Sequence, residues 1–400
     1  MNIFLGIIVG LLVLTTLITL HELGHFFAAR RSGVRVKEFG IGFPPRAIAW
    51  VRSKPEKGKK KGKWHKIDRK DWQKDQDSLI FSLNWLPIGG FCAMDGESDD
   101  ETRPGTFGSV SFWEKTKILF AGVAMNWLTA FAILTILCWT GLPEILDHQF
   151  TIPSDERLST SSAVTVEQVI PGSPADLAGF QPEDRILSIN DTPIHTSSDV
   201  IDFNNAHAGE TVTYALQDRN VEVALNSADS DYLLGITMSS PTLTRHYTWS
   251  APVVAAGLTV QLTGETFRGL GQLVIDLVTG AARQISSDAS VRAEGKEQIS
   301  EATEGVSGIV GIIGGYFPNL ITAGPTLIFL FMAVISISLA CMNVLPIPAL
   351  DGGRWFMIFL CRLRHKKLNK EKEQTIVARA LIFLLILMGI ITIMDIIKLF

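Results

Sequence analysis

The chain contains uncharged, mostly apolar stretches that are long enough to cross a lipid bilayer. The first of them, Ile3 to Leu20, is eighteen residues long. Further ones run from Ile118 to Pro143, from about Thr326 to Leu345 and from Ala380 to Met394. The whole chain is 47% hydrophobic but still 19% charged, which indicates membrane spans combined with a soluble insert. We therefore expect a polytopic α-helical membrane protein with about four transmembrane helices.

Charged residues are distributed unevenly between the segments that connect these stretches. Arg30 to Lys74 contains sixteen Lys and Arg, among them the run Lys57 to Lys63, and Arg354 to Arg379 contains eight basic against two acidic residues. Leu142 to Pro318 instead contains 23 Asp and Glu against 8 Lys and Arg. Because cytoplasmic loops are enriched in basic residues, we place the first two segments in the cytoplasm and the third outside it. The basic run then attracts anionic lipid, and nucleic acid is not an expected partner.

Two other uncharged segments leave the number of spans open. Residues 247–264 are weakly apolar and are followed at once by charged residues, so we interpret them as an amphipathic helix at the membrane surface. Residues 305–323 are interrupted by several Gly and by a Pro. Adding either segment alone as a span would reverse the side of the membrane on which the third span ends.

The pentad His21-Glu22-Leu23-Gly24-His25 follows the first apolar stretch directly. Four residues apart on a helix, two imidazoles share one face and can take two positions of a tetrahedral zinc ion, while Glu22 can act as general base on a water. Ionisable side chains at the end of a membrane span are costly and mark a functional site. The plain alternative is that the two histidines cap the end of a membrane anchor.

A zinc site of this kind needs a third protein ligand. The position at which a metzincin has its third His is Arg31, and Glu38 lies in a basic, soluble-looking loop. Asp351, within the segment Asn343 to Gly353, is the better candidate. On the four-span count the first and third spans run in the same direction, so the two histidines and Asp351 reach similar depth near the cytoplasmic face. The alternative is that Asp351 caps the helix that follows it.

The two motifs, H-E-L-G-H and N-V-L-P-I-P-A-L-D-G, resemble the signatures of the site-2 protease family of intramembrane zinc metalloproteases. The similarity is to its bacterial branch, typified by the regulator of sigma-E protease. This resemblance implies one catalytic Zn²⁺ held by His21, His25 and Asp351, with Glu22 as general base. It also implies that Asn343 contacts the substrate backbone or the developing oxyanion, next to Pro346 and Pro348.

Part of the acidic insert resembles a bacterial PDZ domain. Pro171 to Phe180 predicts a turn and a short helix, and Gln181 to Asn190 predicts a turn and a strand, with Glu183 where such domains usually have Gly. We assign a single extracytoplasmic PDZ domain of α+β class to residues 162–240. Its groove would bind an extended peptide or substrate tail by strand addition. The alternative is a steric cap that excludes bulky substrates by size.

Residues 79–97 are apolar, rich in strand formers and turned at Pro87 to Gly90, and they resemble the membrane-associated β-loop of the family. An exposed strand edge around Gly89, Gly90 and Phe91 would pair with the backbone of an unwinding substrate helix. The alternative is a small cytosolic hairpin. In the second span, Gly122 and Asn126 resemble a small and polar pair of the family, and Asn126 would line the catalytic cavity, whereas close helix packing is the alternative.

These assignments predict the following organisation along the chain. They are transmembrane helix 1 (1–30), a basic cytoplasmic loop (31–114) with a β-loop at about 78–97, transmembrane helix 2 (115–142), a linker (143–161), the PDZ domain (162–240), an amphipathic membrane-surface region (241–318), transmembrane helix 3 ending in N-x-x-P-x-P-x-x-D-G (319–353), a cytoplasmic loop (354–374) and transmembrane helix 4 (375–400).

The resemblance implies an enzyme of the bacterial cytoplasmic membrane that hydrolyses peptide bonds within transmembrane segments. Its expected substrates are single-pass membrane proteins, either anti-sigma-factor-type proteins after a first cleavage or remnant signal peptides. From a different class, the chain could be a membrane PDZ adaptor without catalytic activity. The complete set of catalytic side chains argues against the adaptor.

Overall fold

The computed structural model describes residues 2–52, 64–67, 79–96, 101–146, 148–160, 164–194, 196–227, 230, 232–239, 243–304, 308, 311–365 and 369–399. The basic run Lys57 to Lys63 lies outside the described residues. The chain divides into two compact units. Unit 1 comprises Met1–Leu137 and Pro252–Phe400, and unit 2 comprises Cys138–Ala251.

Helices dominate unit 1, and strands dominate unit 2. In chain order the described helices are α1 (Asn2–Arg31), α2 (Phe112–Thr140), α3 (Pro174–Ala178), α4 (Ser197–Ala206), α5 (Ala251–Gln284), α6 (Ala289–Glu304), α7 (Phe317–Ala323), α8 (Pro325–Val344), α9 (Asp351–Leu363) and α10 (Lys370–Leu399). The described strands are β1 (Val36–Arg52), β2 (Trp64–Lys66), β3 (Ile80–Met94), β4 (Leu142–Pro143), β5 (Arg157–Thr160), β6 (Val164–Val169), β7 (Arg185–Ile189), β8 (Thr192–Pro193), β9 (Thr211–Leu216), β10 (Asn220–Ala224), β11 (Ile236–Ser239) and β12 (Leu243–His246).

Four of the described helices, α1, α2, α8 and α10, are long and apolar enough to cross a bilayer. Their number agrees with the four spans predicted from the sequence. The 34-residue helix α5 is not one of them. It buries Val254, Leu258 and Leu262 but exposes Val253 and Val260, so its apolar side chains lie on more than one face. That the region 241–318 lies at the membrane surface stays a prediction.

The third predicted span, 319–353, is not one helix. Gly324 separates α7 from α8 with φ +99, a conformation that glycine adopts at little cost, and Pro325 starts α8. The helix α8 ends at Val344, because Leu345 precedes a proline and is extended. A turn follows, and α9 begins at Asp351. The helix α9 therefore occupies part of the predicted loop 354–374, and α10 begins at Lys370 rather than at residue 375.

A three-stranded sheet with the order β2-β1-β3 packs on α1. Residues 38–41 of β1 pair with residues 80–83 and also with residues 90–93 of β3, so the two halves of β3 flank the start of β1. Phe26 of α1, Phe39 of β1 and Phe81 of β3 form a cluster with ring centroids 5.5–5.8 Å apart. Thr15 of α1 donates to the carbonyl of Pro87 at 2.5 Å. These contacts hold the sheet against the half of α1 that carries the pentad.

Unit 2 contains a sheet with the strand order β10-β9-β7-β6-β11, to which β8 is added beside β7, and a small sheet with the order β4-β12-β5. Its core consists of the inward-facing aliphatic residues of the large sheet together with Phe180 and Tyr214. The strands β6 to β11 fall within the predicted domain 162–240. The two ends of the predicted linker 143–161 belong to the strands β4 and β5 of the small sheet, and β12 lies at the start of the predicted region 241–318. These strands are too short for periodicity analysis to recognise.

Candidate metal centre

The last third of α1 carries both histidines of the pentad on one face. His21 and His25 are one helical turn apart, and their ring centroids are separated by 4.8 Å. Both side chains are buried, since only 7% and 6% of these residues is exposed. Their Nε2 atoms lie 3.1 Å from each other. The Nε2 atoms of the two buried rings are therefore directed at the same point.

Asp351 reaches the same place from the other end of the sequence. Its Oδ2 atom lies 3.1 Å from Nε2 of His21 and 3.2 Å from Nε2 of His25. Asp351 is the first residue of α9, the N-cap position is Leu350, and no side chain of the described residues caps this end by a hydrogen bond. The carboxylate thus faces the imidazoles, and it does not act as the N-cap considered above.

Two glycines after Asp351 allow this approach. A Cβ atom on Gly352 would collide with the carbonyl of Val344, and one on Gly353 would collide with the carbonyl of Ile347. Only residues without a side chain let the first turn of α9 pack directly on the end of α8 and on the turn that follows it. The packing of this glycine pair brings the preceding carboxylate to α1.

Three residues of α2, spaced four apart on one face, contact the histidines. The carbonyl of Ile118 accepts a hydrogen bond from Nδ1 of His25 at 2.8 Å. The side-chain amide of Asn126 lies 3.2 Å from Nδ1 of His21. Between them, a Cβ atom on Gly122 would lie 2.5 Å from Nε2 of His25 and 2.6 Å from Nε2 of His21. The missing side chain leaves free the space that a ligand of both Nε2 atoms would occupy.

The three converging atoms suit a zinc ion. Because Nδ1 of His25 donates to a backbone carbonyl, a neutral His25 presents the lone pair of Nε2 to the carboxylate of Asp351, and this arrangement needs a positive charge between the two. A tetrahedral zinc site with bonds of about 2.0–2.2 Å separates its ligand atoms by about 3.3–3.6 Å. The separations of 3.1–3.2 Å are close to that range. Two imidazoles and one carboxylate are also a donor set of catalytic zinc sites, which keep one position open.

Glu22 is placed between the histidines and the sheet. A carboxylate oxygen of Glu22 lies within 4.8 Å of ring nitrogens of His21 and His25. The backbone amide of Cys92, in β3, hydrogen-bonds the same carboxylate. A general base must come within hydrogen-bonding reach of the water that it deprotonates. The position of Glu22 meets this requirement for a water held beside the two imidazoles.

The predicted substrate-contact residues of β3 lie beside α1. Gly89 has φ +81 and forms the turn between the two halves of the strand. A Cβ atom on Gly90 would lie 2.9 Å from the carbonyl oxygen of Gly40 and 3.4 Å from Oγ1 of Thr19. The ring of Phe91 covers Gly40. The structure therefore places Gly89 and Gly90 next to the turn of α1 that precedes the pentad, and the ring of Phe91 against β1.

Asn343, Pro346 and Pro348 lie where α8 ends. The Nδ2 atom of Asn343 donates to the carbonyl of Leu339 at 3.0 Å, so this amide bonds within its own helix. The two prolines belong to the turn that leads into α9, where they prevent α8 from continuing. Their contribution in this structure is to the position of Asp351. Contact of these three residues with a substrate stays a prediction.

Some contacts of the site could not be found from the sequence. The burial of Asn126 against His21 is one of them, and its role in lining the catalytic cavity stays a prediction. The carbonyl of Ile118 and the amide of Cys92 were missed, because every residue carries these backbone groups and no residue type marks the ones that are used. The four-residue spacing of positions 118, 122 and 126 was the available signal for a shared face.

Unit 2 has a groove of about 370 Å³ beside β11, the last strand in the order of its large sheet. The helix α4 contributes Ile201 and Asn204 to the lining, and β11 contributes Ile236 and Met238. Gly235, directly before β11, has φ +80 and lies against Ser173. A groove between a helix and an edge strand has the shape that an extended peptide requires.

Comparison with known proteins gives one consistent family. The model of peptidase family M50 matches residues 9–56 and 66–388. A protein of Clostridium acetobutylicum is 29% identical over 406 residues, which cover 98% of both chains. The regulator of sigma-W protease RasP of Bacillus subtilis is 26% identical over 481 residues, covering 98% of this chain and 99% of its own. The zinc metalloprotease RasP of Bacillus licheniformis is 25% identical over 475 residues, again covering 98% and 99%. Together with the convergence of His21, His25 and Asp351, these matches show that the chain belongs to peptidase family M50 and is a zinc metalloprotease.

Proposed function

We propose that this protein is an intramembrane endopeptidase, which hydrolyses peptide bonds within the transmembrane segments of single-pass membrane proteins in the bacterial cytoplasmic membrane. The observation that carries the proposal is the convergence of His21, His25 and Asp351 within 3.1–3.2 Å of one another. The two histidines lie in the last third of a helix that is long and apolar enough to span a bilayer. Ionisable side chains in such a helix are energetically costly in lipid, so their presence indicates a functional site.

In this proposal His21, His25 and Asp351 hold the zinc ion. When bound, the ion polarises the carbonyl of the scissile bond and lowers the pKa of a water toward about 7. Glu22 takes a proton from the attacking water and delivers it to the leaving amine. The amide of Cys92 orients the carboxylate of Glu22 for both transfers. Asn343 would contact the backbone of the substrate after releasing its bond to Leu339.

The sheet beside α1 supports cleavage of a membrane segment. A transmembrane helix satisfies all its backbone amides internally, so a protease must unwind the helix and replace those hydrogen bonds. The second half of β3, around Gly90 and Phe91, lies beside α1 close to Glu22. We propose that this strand pairs with the unwound substrate and aligns the scissile bond with Glu22.

Replacement of the general base tests the proposal. Glu22→Gln should abolish cleavage of a single-pass substrate in proteoliposomes while zinc still purifies with the protein, because the ligand set is unchanged. The matched control is Glu167→Gln, an exposed position of β6 in unit 2, which should cleave normally. Cleavage that survives Glu22→Gln would exclude this mechanism. Both variants should be recovered from the membrane fraction with zinc bound.

The substrate class needs a separate experiment. The purified enzyme should cut an anti-sigma-factor-type segment, already shortened on its outer side, and a remnant signal peptide at comparable rates if it serves both. A substrate cut only outside its transmembrane segment would contradict intramembrane cleavage. If no membrane substrate is cut although zinc is bound, the adaptor without catalytic activity becomes the better explanation.

The proposed orientation places unit 2 outside the cytoplasm and the metal centre near the cytoplasmic face. Single cysteines introduced by Lys60→Cys, Asp202→Cys and His365→Cys into a cysteine-free background would report it. An impermeant thiol reagent added to intact spheroplasts should label only Asp202→Cys. Labelling of His365→Cys from outside would show that the four-span count is wrong.

We further propose that residues 162–240, within unit 2, form a PDZ domain whose groove takes an extended peptide or substrate tail. The supporting features are the terminal position of β11 in the sheet order and the mixed lining of the groove, in which Ile201, Ile236 and Met238 stand beside polar residues. Ile201 is half exposed there, so Ile201→Glu should remove binding of the shortened substrate's tail without unfolding the domain. If this variant cuts the tailed substrate at the normal rate but now also accepts one with a bulky folded domain, unit 2 acts as a size filter instead.

A further inference from the structure

Each imidazole of the proposed zinc centre has a second nitrogen, and α2 supplies a contact for both. Nδ1 of His25 donates to the carbonyl of Ile118 at 2.8 Å. Nδ1 of His21 lies 3.2 Å from the side-chain amide of Asn126, eight residues later on the same face of α2. A histidine that binds a metal through Nε2 carries its proton on Nδ1 and usually donates that proton to an acceptor. His25 has such an acceptor in a backbone carbonyl, so His21 should have one as well.

Asn126 is the group that can provide it. The residue has 0% of its surface exposed, and its Oδ1 atom has no hydrogen-bond donor among the described residues. Nδ2 is the atom drawn toward His21. Oxygen and nitrogen of a side-chain amide are exchanged by a half turn of the group, and the surrounding hydrogen bonds decide between the two orientations.

The requirements of His21 as a metal ligand indicate that Oδ1 of Asn126, and not Nδ2, faces Nδ1 of its ring. If Nδ2 of Asn126 donated to Nδ1 of His21, the neutral ring would carry its proton on Nε2, the atom that points at Asp351. A protonated Nε2 cannot bind a metal. If Oδ1 faces the ring, it accepts the proton of Nδ1 and leaves the lone pair of Nε2 free. Only this second orientation is compatible with His21 as a zinc ligand.

The backbone of Asn126 is held independently of its side chain. The hydroxyl of Ser336, in α8, donates to the carbonyl of Asn126 at 2.9 Å, and both residues are fully buried. This bond ties α2 to the helix that leads to Asp351. The side chain of Asn126 therefore projects from a fixed point toward α1, which suits a group that must orient a neighbouring ring.

We propose that Asn126 is a positioning residue for the zinc centre, whose Oδ1 accepts the Nδ1 proton of His21 and thereby sets the tautomer and the ring orientation of that ligand. The inference rests on the proposed function of His21, His25 and Asp351 as zinc ligands. Loss of such an outer partner weakens metal binding by about 10- to 100-fold. Asn126 contacts neither the metal nor the substrate in this scheme.

The test compares zinc affinity in the full-length protein in detergent, measured by competition with chelators of graded strength. Asn126→Leu keeps the size of the side chain but has no acceptor, so it should bind zinc about 10- to 100-fold more weakly. Asn126→Asp keeps an acceptor oxygen but has no amide donor, so it should bind zinc about as tightly as the unchanged protein. Ser336→Ala removes the neighbouring hydrogen bond to the same residue and serves as the packing control, with nearly unchanged affinity.

The pattern of the variants separates positioning from packing. Normal affinity in Asn126→Asp excludes a role of the amide as donor, and weakening in the size-matched Asn126→Leu excludes a role as filler, so the two results together are expected only if the oxygen accepts from His21. Equal weakening in Asn126→Asp and Asn126→Leu, or normal affinity in Asn126→Leu, would overturn the inference. Should Asn126→Leu fail to fold, the affinity of Asn126→Asp alone still distinguishes acceptor from donor.

One further variant keeps this inference apart from the proposed function. His21→Ala should lose zinc altogether. If His21→Ala retains zinc at normal affinity, the proposed ligand set is wrong. If His21→Ala loses zinc while Asn126→Leu retains it, the ligand set stands and only the role of Asn126 is overturned.

Discussion

Unit 1 and unit 2 both bury polar side chains, but they arrange them differently. In unit 1, His21, His25 and Asp351 converge, with Nε2 of each ring 3.1–3.2 Å from one carboxylate oxygen. In unit 2, a buried donor meets a buried acceptor, as where the hydroxyl of Tyr214 donates to Oδ1 of Asn204 at 2.5 Å. Burial of unmatched polar atoms is costly, whereas a matched pair contributes to stability. The three groups of unit 1 therefore suit a shared metal ion, whereas the matched pair of Tyr214 and Asn204 in unit 2 stabilises the fold.

Removal of the metal or of a ligand should give the largest effect. Asp351→Asn should lose zinc and cleavage together, because a neutral amide is a poor partner for the ion. Chelation of the unchanged protein should have the same effect and should be reversed by added zinc. Metal analysis and a cleavage assay check both statements. The control Asp202→Asn, at an exposed site of unit 2, should retain zinc. Zinc bound at full occupancy in Asp351→Asn would show that the polar cluster of unit 1 does not differ from that of unit 2 by binding a metal.

The second largest effect on zinc affinity and cleavage should come from adding one methyl group at the same centre. Gly122→Ala places a methyl group 2.5–2.6 Å from both Nε2 atoms, within the space of the proposed ion. We expect zinc affinity and cleavage to fall steeply while the helices remain folded. Gly264→Ala in α5 meets no atom within 4 Å and should have no effect. Normal zinc content in Gly122→Ala would show that the ion lies elsewhere.

In unit 2 the expected effect is on stability alone. Burial raises the pKa of the Tyr214 phenol, which therefore stays protonated and donates to Asn204. Tyr214→Phe leaves a buried acceptor without its donor and should cost about 1–3 kcal/mol of unfolding free energy. Denaturant titration of the full chain would measure this, and Tyr316→Phe, at a half-exposed site, is the control. Loss of zinc in Tyr214→Phe would contradict the division between the two units.

The smallest effect concerns pH. Hydrogen bonds from Ser250 and Thr248 hold the pKa of Asp155 below its ordinary value of 3.8. A carboxylate whose pKa is lowered by folding stabilises the fold above its unfolded pKa, and this contribution is lost as pH falls through the folded pKa. The difference in melting temperature between the unchanged protein and Asp155→Asn should therefore be largest near neutral pH and should narrow below about pH 4. A difference that is constant down to strongly acidic pH would exclude this origin.

The sequence predicted the structure best at positions where a residue type has few possible roles, as for His and Asp beside apolar helices. The pentad, the candidate third ligand Asp351 and the four apolar helices were recognised from the cost of placing charge in lipid and from the donor preferences of zinc. It was less informative at helix ends. The division of the predicted helix 319–353 depends on Gly324, Pro346 and their neighbours acting together, and the short strands β4, β5 and β12 have too few residues for a period to be recognised.

The sequence by itself determined which chemistry this protein carries, because His, Glu and Asp in these motifs, next to apolar helices, have few other uses. Only the tertiary structure decided how that chemistry is supported. The carbonyl of Ile118, the amide of Cys92 and the buried side chain of Asn126 reach the site from two other elements. Backbone groups are the same at every residue, and the distance between α1 and α2 depends on how whole helices pack, so no local pattern encodes these contacts.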